Sequence, residues 1–441
     1  MENQDEIDDK QYKRSIKAWT MYDWANSAFA TTIMGVVLPL YFGTYISEGD
    51  TVPIWGYAVA IGSLIAALMG PVLGAIADFK AHKKLFMGIF VALGVISTAL
   101  LWFVVSPADL TLCIVLYILG TIGFAGSLVF YDSLLPHVAK DEEIDAVSSR
   151  GYALGYIGGG LLLLINVAMI FFGPKLLTNM PEAEATALMM RLSLLSVAIW
   201  WAVFSIPIFR DVKEPPATGE KVEVGQNVFV VGIQRNLKAI KDMRKFKDLF
   251  LLMLTFLVYA NGIGTIITMA AAYASDLGFG QMTTLGTFLM VQFVAAPFSI
   301  LFGKLGKKWG NKKAITLSLA IYAVVAIVGY FMSQEWHMYV LGFGVAMVQG
   351  GSQALSRSLI GKMMPKSMSA EFYGFFSVSE KFNTVIGPAL MAFITARTGD
   401  PRLGIISLVV FFVAGIIMLR FVNVERGIKQ AEEVDAKMVE L

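Results

Sequence analysis

The sequence is poor in the residues on which most soluble functions depend. Among its 441 residues there are one cysteine, Cys113, and three histidines, and only 15% of the residues are charged. One cysteine excludes an intramolecular disulfide, and His82, His137 and His337 are too scattered along the chain to indicate a metal site. The formal net charge of +2 provides no basic field for nucleic acid. We therefore expect no metal, no cofactor and no nucleic-acid partner.

Apolar residues are abundant instead. They make up 56% of the chain, and the mean hydropathy is +0.67. A water-soluble protein of this length has to cover its surface with polar groups, and its charged fraction is usually about 25%. This composition excludes a cytosolic enzyme and a secreted disulfide scaffold, and it predicts a polytopic membrane protein.

Apolar runs long enough to cross a bilayer recur along the whole chain. A spanning helix needs about 20 mainly apolar residues. The sequence predicts an all-α membrane protein with twelve transmembrane helices, over 19–46, 53–77, 85–106, 110–136, 151–173, 188–209, 249–274, 282–303, 314–333, 337–361, 372–396 and 403–424.

Lysine and arginine are distributed unevenly between the connecting segments. The segments on one side contain 28 of them and the segments on the other side contain three. Basic residues concentrate in cytoplasmic segments, so the asymmetry predicts that both termini are cytoplasmic. The acidic first 18 residues lack the apolar core of a signal peptide.

The longest connecting segment divides the predicted helices six and six. We predict a cytoplasmic tail at 1–18, a six-helix bundle at 19–209, a cytoplasmic linker at 210–248, a second six-helix bundle at 249–424 and a cytoplasmic tail at 425–441. Within the linker, apolar and basic residues over 226–246 predict an amphipathic helix that can lie on the anionic inner leaflet. A plain tether is the alternative.

The two halves repeat the same residues with an offset of 229 positions. The repeated pairs are Gly74 and Gly303, Lys83 and Lys312, Lys84 and Lys313, and Pro136 and Pro365. Because both copies lie on the cytoplasmic side, the repeat is parallel, with its axis along the membrane normal. It predicts a 6+6 pseudo-symmetric fold.

The first copy of this repeat has the chemistry of a cytoplasmic gate. Asp78 can accept hydrogen bonds from backbone N–H groups at a helix end and can pair with a base. Such a contact would hold one conformation and release in another, although positive-inside anchoring is the alternative. The gate candidates are Gly74, Asp78, Lys83, Lys84 and Arg150. In the second copy Lys307 replaces the acid, so we expect no matching lock there.

The loop that contains Gly74 and Asp78 resembles the Gly-x-x-x-Asp signature between helices 2 and 3 of the major facilitator superfamily. It departs from that signature at Phe79 and Ala81, where the superfamily has Arg and Gly. Residues 22–29 (YDWANSAF) and 148–159 (SSRGYALGYIGG) resemble the vacuole-effluxer branch, which includes autophagy-type amino-acid effluxers and bacterial relatives. The resemblance runs from about residue 15 to 424. It implies the major facilitator fold and transport, with amino-acid efflux as the best-known activity.

Ionisable residues inside spans are rare and usually functional. In the first half they are Asp23, with Asn26 one turn later, Asp132, and Arg150 at a helix start. An ion pair of Arg150 with Asp132 or Asp23 would shape the cytoplasmic gate. Alternatively, an acid there contacts the substrate or carries a proton.

The second half contains a larger set of candidate substrate or coupling residues. They are Asn261, Gln349, Gln353, Arg357, Glu380, Lys381 and Asn383. A carboxylate near the midplane, together with a base and amides, suits a zwitterionic solute. The same residues are also consistent with an ion pair between domains that changes with conformation.

The sequence favours a secondary transporter that moves a small polar solute by alternating access. The sequence contains no Walker motif, which argues against ATP hydrolysis, and no intramembrane histidine, which argues against an intramembrane enzyme. We expect a monomer in the lipid bilayer, driven by a proton or ion gradient. The alternatives are an exporter of an amphipathic drug or lipid, and a non-transporting membrane sensor.

Overall fold

The structure is a computed structural model that describes residues 2–79, 82–140, 144–214, 244–365, 376 and 382–439. The regular secondary structure of these residues is entirely helical. The all-α prediction is therefore confirmed for the part of the chain that the structure describes. The predicted amphipathic helix at 226–246 lies outside the described residues except for 244–246.

The helices before the linker begin with α1 (Glu2–Ala28), which continues through a π-helical segment (Phe29–Val36) into α2 (Val37–Tyr45). They continue with α3 (Thr51–Phe79), α4 (Lys83–Leu100), α5 (Leu110–Val138), α6 (Ile144–Leu176) and α7 (Glu182–Asp211). The helices after it are α8 (Lys247–Asp276), α9 (Gln281–Trp309), α10 (Asn311–Tyr330), α11 (Glu335–Met363), α12 (Ile386–Thr398), α13 (Pro401–Ser407), α14 (Val409–Phe421) and α15 (Val424–Val439).

Nine helical stretches among the described residues are long and apolar enough to cross a membrane. This agrees with a multi-pass membrane protein, whereas the count of twelve spans stays a prediction. Two predicted spans are interrupted. Residues 403–424 form α13 and α14, and 372–396 is described only at Phe376, a 3₁₀ turn (Phe382–Thr384) and α12.

The chain forms two compact units, and the predicted domain bounds stay a prediction. The first unit comprises Met1–Gly49 and Leu68–Gly232, and the second comprises Asp50–Ala67 and Ile233–Leu441. Helix α3 is continuous, but its first half, up to Ala67, belongs to the second unit and the remainder, from Leu68, belongs to the first. The sequence pattern contains no sign of this division, since α3 is uniformly apolar.

A seam of glycines on α6 sets the packing of the first unit. A Cβ atom at Gly158 would lie 2.7 Å from the carbonyl oxygen of Trp24, and one at Gly159 would lie 2.9 Å from that of Ser27. These distances are too short for real contacts, so only glycine lets α6 approach α1 this closely. The seam places the polar face of α1 against α6.

The first half of α3 is fixed in the second unit by polar contacts at both ends. The Asp276 carboxylate, at the end of α8, accepts hydrogen bonds from the backbone nitrogens of Thr51 (3.1 Å) and Val52 (2.9 Å). A carboxylate at this position satisfies N–H groups that have no partner within the helix. Farther along α3, the Ser63 and Thr384 hydroxyl oxygens lie 2.7 Å apart.

Both predicted tails contain helix. The start of α1 is held to the end of α7 within the first unit, because Arg14 pairs with Asp211 at 3.0 Å and Ser15 donates to the Asp211 carbonyl at 3.0 Å. In the second unit, the Arg426 guanidinium of α15 donates to the buried Asp248 carboxylate at 2.9 Å. The terminal helices therefore hold the two ends of the central linker.

Candidate functional site

The polar face of α1 surrounds Asp23 in the first unit. The Tyr131 hydroxyl of α5 donates a hydrogen bond to Asp23 Oδ2 at 2.9 Å. Tyr131 is itself held by the Trp19 indole, which donates to its carbonyl oxygen at 3.1 Å and stacks on its ring at 4.3 Å between centroids. Both rings are buried, whereas Asp23 is half-buried. We call Trp19, Asp23, Asn26 and Tyr131 the Asp23 cluster.

Glycine on α6 makes room for this carboxylate. A Cβ atom at Gly151 would lie 2.5 Å from Asp23 Oδ2, 3.0 Å from the Trp19 ring and 3.3 Å from the Tyr131 hydroxyl. Any side chain at 151 would therefore displace the carboxylate or the ring. Asn26 is almost fully buried, and its amide nitrogen lies near the Asp23 carboxylate but outside hydrogen-bond geometry.

The predicted ion pair of Arg150 is not among the pairs that the described residues form. Arg150 is exposed at the start of the α6 glycine seam, and Asp132 is exposed on α5. Tyr131, the residue before Asp132, contacts Asp23 instead. Within the described part of the chain, Asp23 has no ion pair with a lysine or arginine.

Two of the predicted gate lysines hold helix ends within the first unit. Lys83 is buried and donates to the Ser133 carbonyl near the end of α5 at 3.2 Å. Lys84 donates to the Val212 carbonyl just after α7 at 2.6 Å. Cations near the C-terminus of a helix satisfy free carbonyls and oppose the helix dipole.

The ring of His137 lies beside the Lys83 ammonium. Partial loss of solvent around the His137 ring, followed by the nearby Lys83 ammonium, lowers the pKa of His137. Its Nε2 lies 3.5 Å from Lys83 Nζ, and a neutral ring can accept a hydrogen bond from that ammonium. The other gate candidates, Gly74 and Asp78, lie outside the residues whose side chains are described. The gate therefore stays a prediction.

Irregular backbone precedes α12 in the second unit. The described residues just before α12 form a 3₁₀ turn (Phe382–Thr384), and the buried side chain of Asn261 on α8 lies at this interruption of the α-helical backbone. Its Oδ1 accepts hydrogen bonds from the backbone nitrogens of Ile386 at 3.0 Å and Gly387 at 3.3 Å. Pro388 follows and has no N–H to satisfy, which suits the first turn of a helix.

Other polar residues gather at the same interruption. The backbone of Asn383 passes so close to Gly264 that a Cβ there would lie 2.6 Å from the Asn383 carbonyl oxygen. The Asn383 Oδ1 is buried and has no hydrogen-bond partner among the described residues. Ser63 of α3 joins the group through Thr384. We call Ser63, Asn261, Asn383 and Thr384 the helix-break cluster.

The predicted polar stripe on α11 is divided. Ser356 is buried and hydrogen-bonds with the Tyr259 hydroxyl, whereas Gln353 and Arg357 are exposed and Gln349 is half-buried. The structure thus brings Asn261 and Asn383 together and leaves the α11 residues outside that cluster. Glu380 and Lys381 lie outside the described residues, so their predicted roles stay predictions.

A second buried network in the first unit was not predicted. Asn166 of α6 is fully buried, accepts a hydrogen bond from Ser196 at 2.9 Å and donates to Thr32 in the π-helical segment at 3.5 Å. The sequence signal that could have predicted this network is the one asparagine, Asn166, within the otherwise apolar run 161–172. Ser63 and Thr384 gave no comparable signal, since hydroxyl residues are common in spanning helices.

The described residues contain no group of three or more histidine, cysteine or acidic side chains that could hold a metal ion. The Asp23 cluster can neutralise a cation or take up a proton. The helix-break cluster offers amide and hydroxyl groups beside an irregular backbone, which suits a polar solute. Both clusters provide binding chemistry within apolar helices.

Most of the chain matches a known protein family. Residues 48–432 match the family model described as "Vacuole effluxer Atg22 like". The chain belongs to this family. It is 37% identical over 421 residues to an "Uncharacterized MFS-type transporter YxiO" of Bacillus subtilis, covering 94% of this chain and 96% of that protein. It is thus a major facilitator superfamily transporter of the Atg22 branch.

More distant similarities agree with this family. The chain is 26% identical over 318 residues to "Autophagy-related protein 22" of Yarrowia lipolytica, covering 66% of this chain and about half (52%) of that protein. The solved structure of a D-xylose-proton symporter superposes with a TM-score of 0.68 at 14% identity, covering 94% of this chain and 98% of that one. At that identity the superposition supports the fold alone. The predicted family and the major facilitator fold are confirmed.

Proposed function

We propose that this member of the family is a secondary active transporter that moves a small polar solute by alternating access. Two observations support a polar solute over an amphipathic drug or lipid. The Asp23 cluster and the helix-break cluster both place hydrogen-bonding groups within apolar helices. A pocket for an apolar cargo would need few such groups, and burying them unused costs free energy.

The irregular backbone of the 3₁₀ turn before α12 is the observation that supports this proposal most. Inside a membrane, irregular backbone is tolerated only where protein or a water-filled cavity satisfies it. Asn261 satisfies two of the free N–H groups there. Transporters commonly place substrate sites at such discontinuous helices.

The solute class that we propose is the amino acids, exported across a bacterial inner membrane by a monomer. An amino acid has an ammonium and a carboxylate, and the two clusters offer acidic and amide groups that suit them. A proton or ion gradient supplies the driving force, and ionisable residues within the spans are the usual carriers of coupling protons.

The predicted orientation can be tested with cysteines. In a Cys113→Ser background, Lys308→Cys should resist an impermeant thiol reagent added outside intact cells, and Arg397→Cys should react. Both positions are exposed, whereas the native Cys113 is buried. Labelling of Lys308→Cys from outside, with Arg397→Cys protected, would reverse the orientation.

The solute class can be tested by thermal stabilisation of the purified protein. A ligand that binds the folded state alone, present at about 100 times its Kd, adds about 2.7 kcal/mol of stability. We expect amino acids to raise Tm in a library that also contains sugars, nucleosides and amphipathic drugs. Stabilisation by amphipathic drugs alone would contradict the proposal.

A further inference from the structure

Among the described residues, no lysine or arginine pairs with the Asp23 carboxylate. It lies on a helix that crosses the apolar part of the first unit, and it forms no ion pair with the described lysines and arginines. An ionised carboxylate that has left water is costly unless a cation or several hydrogen bonds compensate for it. The Tyr131 hydroxyl donates a hydrogen bond to Asp23.

Two hydrogen-bond donors lie beside the Asp23 carboxylate. The Tyr131 O–H donates to Oδ2, and the Asn26 amide nitrogen lies nearby, so both dipoles present their positive ends to the carboxylate. Donors of this kind stabilise the charged form. Burial opposes the charge, so the ionised carboxylate would be stabilised by a cation with hydrogen-bond donors of its own.

The cluster is also rigid and partly open. Trp19 stacks on Tyr131, both rings are buried, and Gly151 fits against the ring edge and the carboxylate. These contacts hold Oδ2, while the Asp23 side chain stays partly exposed. A fixed carboxylate beside buried aromatic rings attracts a cation more strongly than one in water, because the local dielectric is low.

We propose that Asp23 binds the ammonium group of the transported solute, so that the substrates of this chain are primary amines, amino acids among them. An ammonium has three N–H donors and one positive charge, which are the properties that this carboxylate lacks. The inference rests on the proposed transport function and identifies both the contact and the chemical class. Tyr131 is a positioning residue that holds Asp23 Oδ2.

The test uses purified full-length protein and matched probes. Each amino acid of a panel is compared with its decarboxylated amine and its deaminated acid, and binding is measured from the shift in Tm with concentration. Amino acids and amines should bind, and deaminated acids should not. Asp23→Asn should weaken binding of the amines about 10- to 100-fold, the effect of losing one charged hydrogen bond. Asp400→Asn, an equally small change at a helix N-cap, should leave binding unchanged.

Three results would overturn the inference. They are equal binding of the deaminated acids, unchanged amine binding by Asp23→Asn, and stabilisation by Na⁺ or a pH step alone that Asp23→Asn removes. The last would identify a coupling-ion site. Failure of the proposed transport function would be seen in a separate measurement, in which no probe that binds the protein is transported into proteoliposomes. Tyr131→Phe should weaken amine binding less than Asp23→Asn does, since the charge remains.

Discussion

Replacing Gly158 with valine is expected to destabilise the protein severely and to prevent its accumulation as a monodisperse species. A Cβ at this position would meet the Trp24 carbonyl oxygen at 2.7 Å and the Trp24 ring at 2.8 Å. Neither can move freely, because the first belongs to the α1 backbone and the ring stacks with Trp200. Overpacking of this kind costs about 1–3 kcal/mol for small insertions, and valine is larger than alanine.

Gly160, two residues farther along the same helix, provides the matched control. A Cβ there meets nothing within 4 Å. Gly160→Val should therefore fold normally, and Gly160→Ala should be neutral or slightly stabilising, because alanine favours a helix over glycine. The Tm of each variant is measured on protein purified in detergent. Equal Tm values for Gly158→Val and Gly160→Val would contradict the close packing of α1 and α6.

Asn261→Leu is expected to abolish transport and to lower Tm. In the native protein, Asn261 Oδ1 accepts hydrogen bonds from the backbone N–H groups of Ile386 and Gly387. A leucine would leave both N–H groups without this partner inside the membrane. Each unsatisfied buried group costs about 1–3 kcal/mol. The start of α12 would then shift, and the polar groups around Asn383 would shift with it.

Asn261→Asp separates loss of this contact from loss of packing. Aspartate keeps the acceptor oxygens and is a favourable residue at a helix N-terminus, so it should retain much of the stability that leucine loses. Flux and Tm are measured on the same preparations. Wild-type flux and Tm for Asn261→Leu would show that the interruption does not depend on Asn261.

Some of this structure could be predicted from the sequence because it depends on local pattern. Apolar runs of about 20 residues predict spanning helices wherever they occur. Glycines at 155, 158 and 159 predict a close helix contact, and the structure identifies α1 as the partner. Family membership followed from short segments such as residues 22–29.

The remaining features depend on contacts that sequence spacing does not encode. Ser63 and Thr384 are 321 residues apart and meet only because half of α3 packs in the second unit. Asn261 stood out as one polar residue on a helix face, but its contact with an interruption 125 residues away could not be predicted. Lys83 and Lys84, which were selected as gate candidates, also have contacts that hold helix ends, and sequence spacing does not encode those contacts.

The central claim, that this chain is a carrier moving a small polar solute by alternating access, is tested most directly by counterflow in proteoliposomes. Vesicles are loaded with an excess of an unlabelled amino acid that binds the protein, and a trace of labelled solute is added outside. We predict that label accumulates transiently inside the vesicles above its equilibrium concentration without any imposed ion gradient, because a carrier exchanges internal for external solute one for one. Label that enters equally fast with and without internal solute, and never exceeds equilibrium, would contradict alternating access.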